Sequence, residues 1–365
     1  MPAQRAELYF PFSVPLEGLG LPAEFGCLRQ EEPVAEVTLA TGDKAWLVTR
    51  YADVRAVLED PRFSPSPQVP ARVRELASTA FTERRVERLH PGIHEIADDL
   101  LTRLLAAGPP AELITGFTSP LSSSVIFELL GVPREDCDLV RGWTEALVSP
   151  GRDDLAQARC ELDSYLAALI AHKRRRPDGH LFSSPGAARE DLLSLGTHLI
   201  TVGHESTAAS LTSAILVLLC HPGGITFLNS CPAAIPAAVE ELLRFDPLAR
   251  SGSHMRVATE DTEIAGVPIG KGEAVLAATA AANHDPAEFA YPHHVILTRE
   301  PNPHLAFGSG AQQCPGAPLA RAELQIALGF LVRRLPRLEL GVPWKELTWE
   351  TRPEARRLRR LPVMW

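Results

Sequence analysis

Three short stretches gather residues whose types and spacing can do chemistry. Phe307-Gly308-Ser309-Gly310-Ala311-Gln312-Gln313-Cys314-Pro315-Gly316 sets a cysteine behind two glycines. Glycine lets a backbone turn tightly and approach a flat ligand closely. Pro315 suits the first position of a helix, where free N–H groups and the helix dipole favour thiolate over thiol. A buried structural cysteine after a Gly-rich turn is the plainer alternative. Glu241-Leu242-Leu243-Arg244 places an acid and a base at i, i+3 on one helix face, where they can pair. Such pairs also occur on the surfaces of most helical proteins. Val202-Gly203-His204-Glu205-Ser206-Thr207 sets polar groups into an apolar run. Gly203 allows the helix to open, so that a hydroxyl and water satisfy a freed carbonyl, while Glu205 can pass a proton. Back-bonding of Ser206 and Thr207 to the preceding turn, with Glu205 in a structural ion pair, is the plainer alternative here. His204-Glu205 is not a zinc motif, because no second histidine follows at HExxH spacing.

The elements that must position these groups are mostly helical. Asp191–Cys220 is long, nearly uncharged and apolar on all sides, so it must run through the protein interior. Its polar residues would be costly in a buried helix unless something uses them. Helical spacing predicts further helices over 86–107, 119–131, 135–148, 153–175 and 233–245, and from about Pro315 to Leu335. Val37–Leu39 and Trp46–Val48 around Thr41-Gly42-Asp43 predict a β-hairpin, and 257–277 has hairpin character as well. A proline-punctuated loop is expected from about Asn283 to Gln313.

Composition limits the classes of function. The chain has 365 residues and a net charge of −9, which argues against a nucleic-acid surface. Basic runs at His172–Arg176 and Arg352–Arg360 read as a solvated helix end and a solvated strand, though such patches can also greet an acidic partner. The six cysteines show no paired spacing. Five are expected to be small buried apolar residues, in keeping with a reducing cytoplasm. The first twenty residues contain no apolar run long enough for a signal or membrane anchor. With no linker, repeat or low-complexity segment, residues 1–365 are expected to form a single α-rich domain.

The ten-residue cysteine loop resembles the cysteine-ligand loop of the cytochromes P-450. DPRFS, AFTERRVERL, AAVEELLRFDP, RVATED, AAANHDP and TREPNPHLAFGSG extend the resemblance over nearly the whole chain, closest to actinobacterial members that tailor natural products. The resemblance implies a mainly α fold with small β-sheets, a triangular single domain whose long central helix lies over a haem. It implies haem b (iron protoporphyrin IX) with Cys314 as the axial iron ligand, and Phe307, Gly308 and Gln312 in the loop against the cofactor. Arg74 and Arg256 match the family's propionate-binding arginines. Glu205, Ser206 and Thr207 match its oxygen-binding stretch, with Glu205 relaying protons and the Ser206 hydroxyl holding dioxygen. Glu241 and Arg244 match its buried lock, with His294 at the place of the usual third member, an arginine.

This chain departs from the family pattern in several places. Gln312 stands where a basic residue is usual, and Pro70 where the same family helix carries a histidine, so propionate anchoring should lean on Arg74 and Arg256. Ser206 stands where threonine is commoner, keeping the hydroxyl but losing the methyl that fixes its rotamer. The loop that roofs the substrate pocket is mostly absent near 65–71, and the stretch after His172 is abbreviated. A short lid implies an open pocket suited to a bulky or carrier-tethered substrate. The implied activity is a cytoplasmic, monomeric monooxygenase that hydroxylates or epoxidises a hydrophobic small molecule in secondary metabolism. Its electrons would come from a ferredoxin and ferredoxin reductase, meeting Arg74, Arg84, Arg85 and Arg321. Oxidative coupling, or a haem-binding module without turnover, are the other readings.

Overall fold

The computed structural model describes residues 7–12, 19–65, 71–148, 155–246, 253–351 and 356–365. Its first part alternates strands and short helices. β1 (Tyr9–Phe10) and α1 (Ala23–Glu31) precede the expected hairpin of β2 (Val34–Leu39) and β3 (Lys44–Val48), and α2 (Tyr51–Glu59) and β4 (Phe63–Pro65) follow. Gly42 closes the hairpin at φ 88°, a conformation glycine adopts without strain.

A helical body comes next. It comprises α3 (Ala71–Ala80), α4 (Glu83–Ala107), β5 (Ala111–Glu112), α5 (Ser119–Leu130), α6 (Cys137–Val148), α7 (Leu155–Arg175) and α8 (Arg189–His198). A π-helical turn, Leu199–Gly203, joins α8 to α9 (His204–Cys220), and α10 (Gly224–Ser230) and α11 (Ile235–Phe245) follow. The last part holds β6 (Ser253–Ala258), β7 (Thr262–Ile264), β8 (Val267–Ile269), β9 (Ala274–Ala278), α12 (Thr279–Ala282), α13 (Ala317–Arg334) and four short strands. These are β10 (Glu339–Leu340), β11 (Trp349–Thr351), β12 (Arg356–Leu358) and β13 (Pro362–Met364).

The body is built on α4, α5, α9, α11 and α13, which pack on one another. In α4 the buried Ile93, Ala97, Leu100, Leu101 and Leu104 recur at helical spacing and face this core. Each fully buried leucine of this kind contributes roughly 1.5–3 kcal/mol of apolar transfer. α5 ends at Gly131, whose left-handed φ of 77° lets it and Val132 both donate N–H bonds to the Phe127 carbonyl. Arg189–Cys220 is long and apolar enough to cross a membrane by length and composition, with mean hydropathy 1.3. Instead, eight consecutive positions from Leu211 are sealed in the core, with Leu211, Ile215 and Leu216 at zero exposure.

Six strands form the main sheet, in the order β1-β2-β3-β9-β6-β4. β6 runs antiparallel to both β9 and β4, between which it lies in the sheet. The cysteines differ from expectation: Cys27, Cys160, Cys220 and Cys231 are exposed and Cys137 half-buried. Helix pattern fixes which face is inward, and these four residues fall on outward or terminal positions. The shortened stretch near 65–71 falls mostly on residues 66–70, outside the described residues.

Candidate active site around Cys314

Cys314 closes the long loop from Asn283 and is held in place by its backbone. Its N–H donates to the Phe307 carbonyl at 2.8 Å, and its own carbonyl accepts the Ala317 N–H at 3.2 Å. α13 begins at Ala317, not at Pro315, so the cysteine stands one tight turn ahead of the helix. The thiol is nevertheless under the helix start. Burial pushes its pKa up, while N–H groups of Gly316 and Ala317 at the sulfur and the charges of Arg74 and Arg321 pull it down. The side chain remains accessible to solvent, so protein crowds the sulfur without covering it. Among the described residues no group of three or more His, Cys, Asp or Glu is placed to hold a metal ion.

The two loop glycines act chiefly through backbone conformation. Gly308 and Gly310 have φ of 75° and 69°. A Cβ on Gly310 would also stand 3.1 Å from Cα and Cγ of Glu59, so this glycine lets the loop close against α2. Gln312 lies in the single 3₁₀ turn Gly310–Gln312. Phe307 packs under the Arg321 guanidinium, 4.6 Å from its ring centre.

Two arginines flank this loop from other elements. Arg74 on α3 donates to the Gln313 carbonyl at 2.8 Å. Arg256 on β6 is buried, donates among the described residues to the Met255 carbonyl at 3.1 Å, and leaves its Nε without a partner. Burial and the neighbouring charge of Arg74 both push the Arg256 pKa down, and no carboxylate among the described residues offsets them. Like charges drawn together with an orphaned donor are what an anion site needs. Burial outweighs the N–H groups at the Cys314 sulfur and leaves the thiol's pKa raised. A cysteine-bearing loop beside two such arginines nevertheless fits a haem, whose iron would take the sulfur and whose propionates would take the cations.

Glu241 and Arg244 are fully buried and joined by two bonds, Nε to Oε2 at 2.7 Å and Nη2 to Oε1 at 2.8 Å. The second cation on Glu241 is Arg299, with Nε 2.9 Å from Oε2. This corrects the expectation for His294, which meets Arg244 only through its backbone carbonyl at 3.2 Å. The loop turns between them so that position 299, not 294, points its side chain inward. One residue earlier on α11, Glu240 takes bonds from Arg321 at 2.8 and 2.9 Å and stands 3.0 Å from His304 Nε2. Arg321 is therefore committed within the protein, and Arg85 is half-buried with Nη2 on Ser184. Of the four cations expected at a partner surface, Arg84 remains exposed.

Glu205, Ser206 and Thr207 lie at the start of α9, which packs against α13, α11 and α5. Both hydroxyls turn back on the Gly203 carbonyl, Ser206 at 3.2 Å and Thr207 at 3.3 Å. The π-helical turn ending at Gly203 supplies that carbonyl, since it breaks the regular ladder there. Glu205 instead opens on a cavity of about 430 Å³ between α5, α6, α9 and the β11–β12 hairpin, lined also by Arg141, Glu145, His204, Glu350 and Arg359. The structure thus groups Cys314, Phe307, Gly308, Gln312, Arg74 and Arg256 around one loop, while Glu205, Ser206 and Thr207 lie on α9, which packs against α13, the helix that follows that loop.

Sequence reasoning missed Arg299, Glu240, His304 and a histidine on β6, His254. Only for His254 was a signal present, the alternation of a strand that also carries Arg256.

The cytochrome P-450 family model matches residues 234–343. Nocardicin C N-oxygenase of Nocardia uniformis subsp. tsuyamanensis is 40% identical over 391 positions, covering 98% of each chain. Mycinamicin IV hydroxylase/epoxidase of Micromonospora griseorubida is 38% identical, again over 98% of each. Among solved structures, the mixed-function P-450 MycG superposes with a TM-score of 0.92 at 37% identity, covering 99% of this chain and all of that one. The LnmA hydroxylase from the leinamycin pathway of Streptomyces atroolivaceus gives 0.90 at 36%, over 98% of this chain and all of the other. The chain belongs to the cytochrome P-450 family of monooxygenases, alongside its actinobacterial members of natural-product biosynthesis.

Proposed function

We propose that this enzyme holds haem b through Cys314 and inserts one oxygen atom of O₂ into a hydrophobic organic molecule, by hydroxylation or epoxidation, in secondary metabolism. The observation that carries this reading is the sulfur of Cys314 set under the Gly316 and Ala317 N–H groups near Arg74, which is also the charge felt by Arg256, a buried cation with no acidic partner among the described residues. Relatives named as hydroxylase, epoxidase and N-oxygenase support the reaction class.

When bound, the haem supplies the redox chemistry that splits dioxygen, one atom going to the substrate and the other leaving as water. The chain's residues do the rest. Cys314 gives a thiolate to the iron, and its two N–H bonds temper the charge that the sulfur donates. Arg74 and Arg256 take the propionates. The Gly203 carbonyl accepts the Ser206 hydroxyl, whose oxygen stays able to accept a second hydrogen bond. Glu205 exchanges protons with the charged cavity behind the helix and hands them forward to Ser206.

The same reading takes two electrons from a ferredoxin through its reductase and places the enzyme in the cytoplasm as a single-domain monomer. A shortened lid is part of it. The alignment with the nocardicin enzyme runs over 391 positions, more than the 365 residues here, so that relative carries internal segments this chain lacks. An open pocket of this kind suits a bulky or carrier-tethered substrate.

The test is spectral. Wild-type protein, reduced under carbon monoxide, should give the long-wavelength band of a cysteinate–iron bond, and Cys314→Ser should not. A wild type that takes up no haem, or a serine variant that keeps the band, would overturn the proposal.

A further inference from the structure

We propose that His254 is a third haem-propionate-binding residue, donating a ring N–H beside Arg74 and Arg256 in place of the basic side chain that the family carries where Gln312 stands. The inference rests on the haem reading above and deepens it.

Strand alternation puts His254 and Arg256 on the same face of β6, while Met255 between them points outward and is 38% exposed. The imidazole faces the cysteine loop: its Nε2 lies 3.7 Å from where a Cβ on Gly308 would stand. His254 thus sits between Arg256 on its own strand and the first glycine of the loop that ends at Cys314. Its Nδ1 is buried and has no hydrogen-bond partner, and the same holds for the adjacent Arg256 Nε. Two unsatisfied polar atoms side by side, a guanidinium donor and a ring nitrogen that becomes a donor in the Nδ1–H tautomer, cost the fold free energy unless a ligand answers them.

The charges around the pair point to an anion. Among the described residues, the charge that acts on His254 is that of Arg256, and on Arg256 that of Arg74. Burial first, and Arg256 second, hold the His254 pKa down at about 4, so at neutral pH the ring is uncharged and keeps one N–H. A neutral donor adds a bond to a carboxylate without a third positive charge in a confined space. A histidine kept only for its volume would leave its polar edge unanswered, and an apolar side chain would serve better.

The experiment compares His254→Asn, which keeps a donor, with His254→Leu, which keeps the bulk. Loss of haem from each holoprotein to excess apomyoglobin is timed by absorbance. It is repeated with protein reconstituted with haem dimethyl ester, whose propionates no longer carry charge. With ordinary haem, His254→Leu should lose its cofactor about tenfold faster than wild type, and His254→Asn less than about threefold faster, the range of one hydrogen bond to a charged group. With the ester, all three should agree within about twofold. Equal loss from wild type and His254→Leu with ordinary haem overturns the proposal. So does a difference that persists with the ester, since the histidine would then act through packing. Failure of wild type itself to hold haem would remove the haem reading first, and this one with it.

Discussion

Glu240 and Glu241 are neighbours on α11 and grip different parts of the same long loop. Glu241 takes Arg244 from its own helix, then Arg299, the Ile296 N–H at 2.8 Å and Asn302 at 3.2 Å. Glu240, about 100° round the helix, takes His304 nearer the cysteine and Arg321 beyond it. His304 Nδ1 accepts the Ala306 N–H at 3.2 Å, which leaves Nε2 to donate to Glu240. Two consecutive carboxylates therefore set the path of the chain on both sides of Phe307.

Arg299→Ala should destabilise the protein by about 3 kcal/mol or more, because it leaves a buried carboxylate short of one cation. His294→Ala should cost less than about 1 kcal/mol, since position 294 contributes only its carbonyl. Denaturant unfolding of both variants checks the contrast. Equal losses would restore His294 to the lock.

Acid should weaken the protein through Glu240. Burial pushes its pKa up, but bonds from His304 and Arg321 overcome this and hold it at about 2, below the ordinary 4.5. A depressed carboxylate contributes stability above pH 4.5 and loses it as the pH falls towards 2. Glu240→Gln should therefore be less stable than wild type at pH 6 by about 2 kcal/mol, and the gap should shrink to about a quarter of that by pH 2.5. Unfolding curves at the two pH values measure it.

Glu323 should act in the opposite sense. It is buried on α13 with the Ser122 hydroxyl as its hydrogen-bond donor, and burial raises its pKa to about 7 from 4.5. Such a group costs nothing while protonated in both states, below pH 4.5, and its penalty grows as pH rises to 7. Glu323→Gln should gain on wild type between pH 5 and pH 8, by up to about 3 kcal/mol. A constant difference across that range would show that the carboxyl does not change protonation on folding.

Ser206→Ala should leave folding and haem content intact but divert electrons into free hydrogen peroxide, with product per NADPH falling several-fold. Ser206→Thr should restore the hydroxyl and with it the coupling. Simultaneous assays of NADPH, peroxide and product separate these outcomes, and unchanged coupling in the alanine variant would count against a proton relay.

What the sequence alone determined was local. The cysteine loop, the buried central helix, the β2–β3 hairpin and the Glu241–Arg244 pair were all legible. Hydrophobic period, turn residues and i, i+3 spacing act over a few residues and survive any tertiary context. Tertiary structure decided which side chains from distant segments meet. Arg299 reaches Glu241 across 58 positions, and Arg321 reaches Glu240 across 81. His254 faces Gly308 only because β6 pairs beside the loop, and the outward-facing cysteines follow from which helix faces the core took. Those partners depend on the path of loops whose conformation is set by hydrogen bonds to other elements, and no short-range pattern encodes that path.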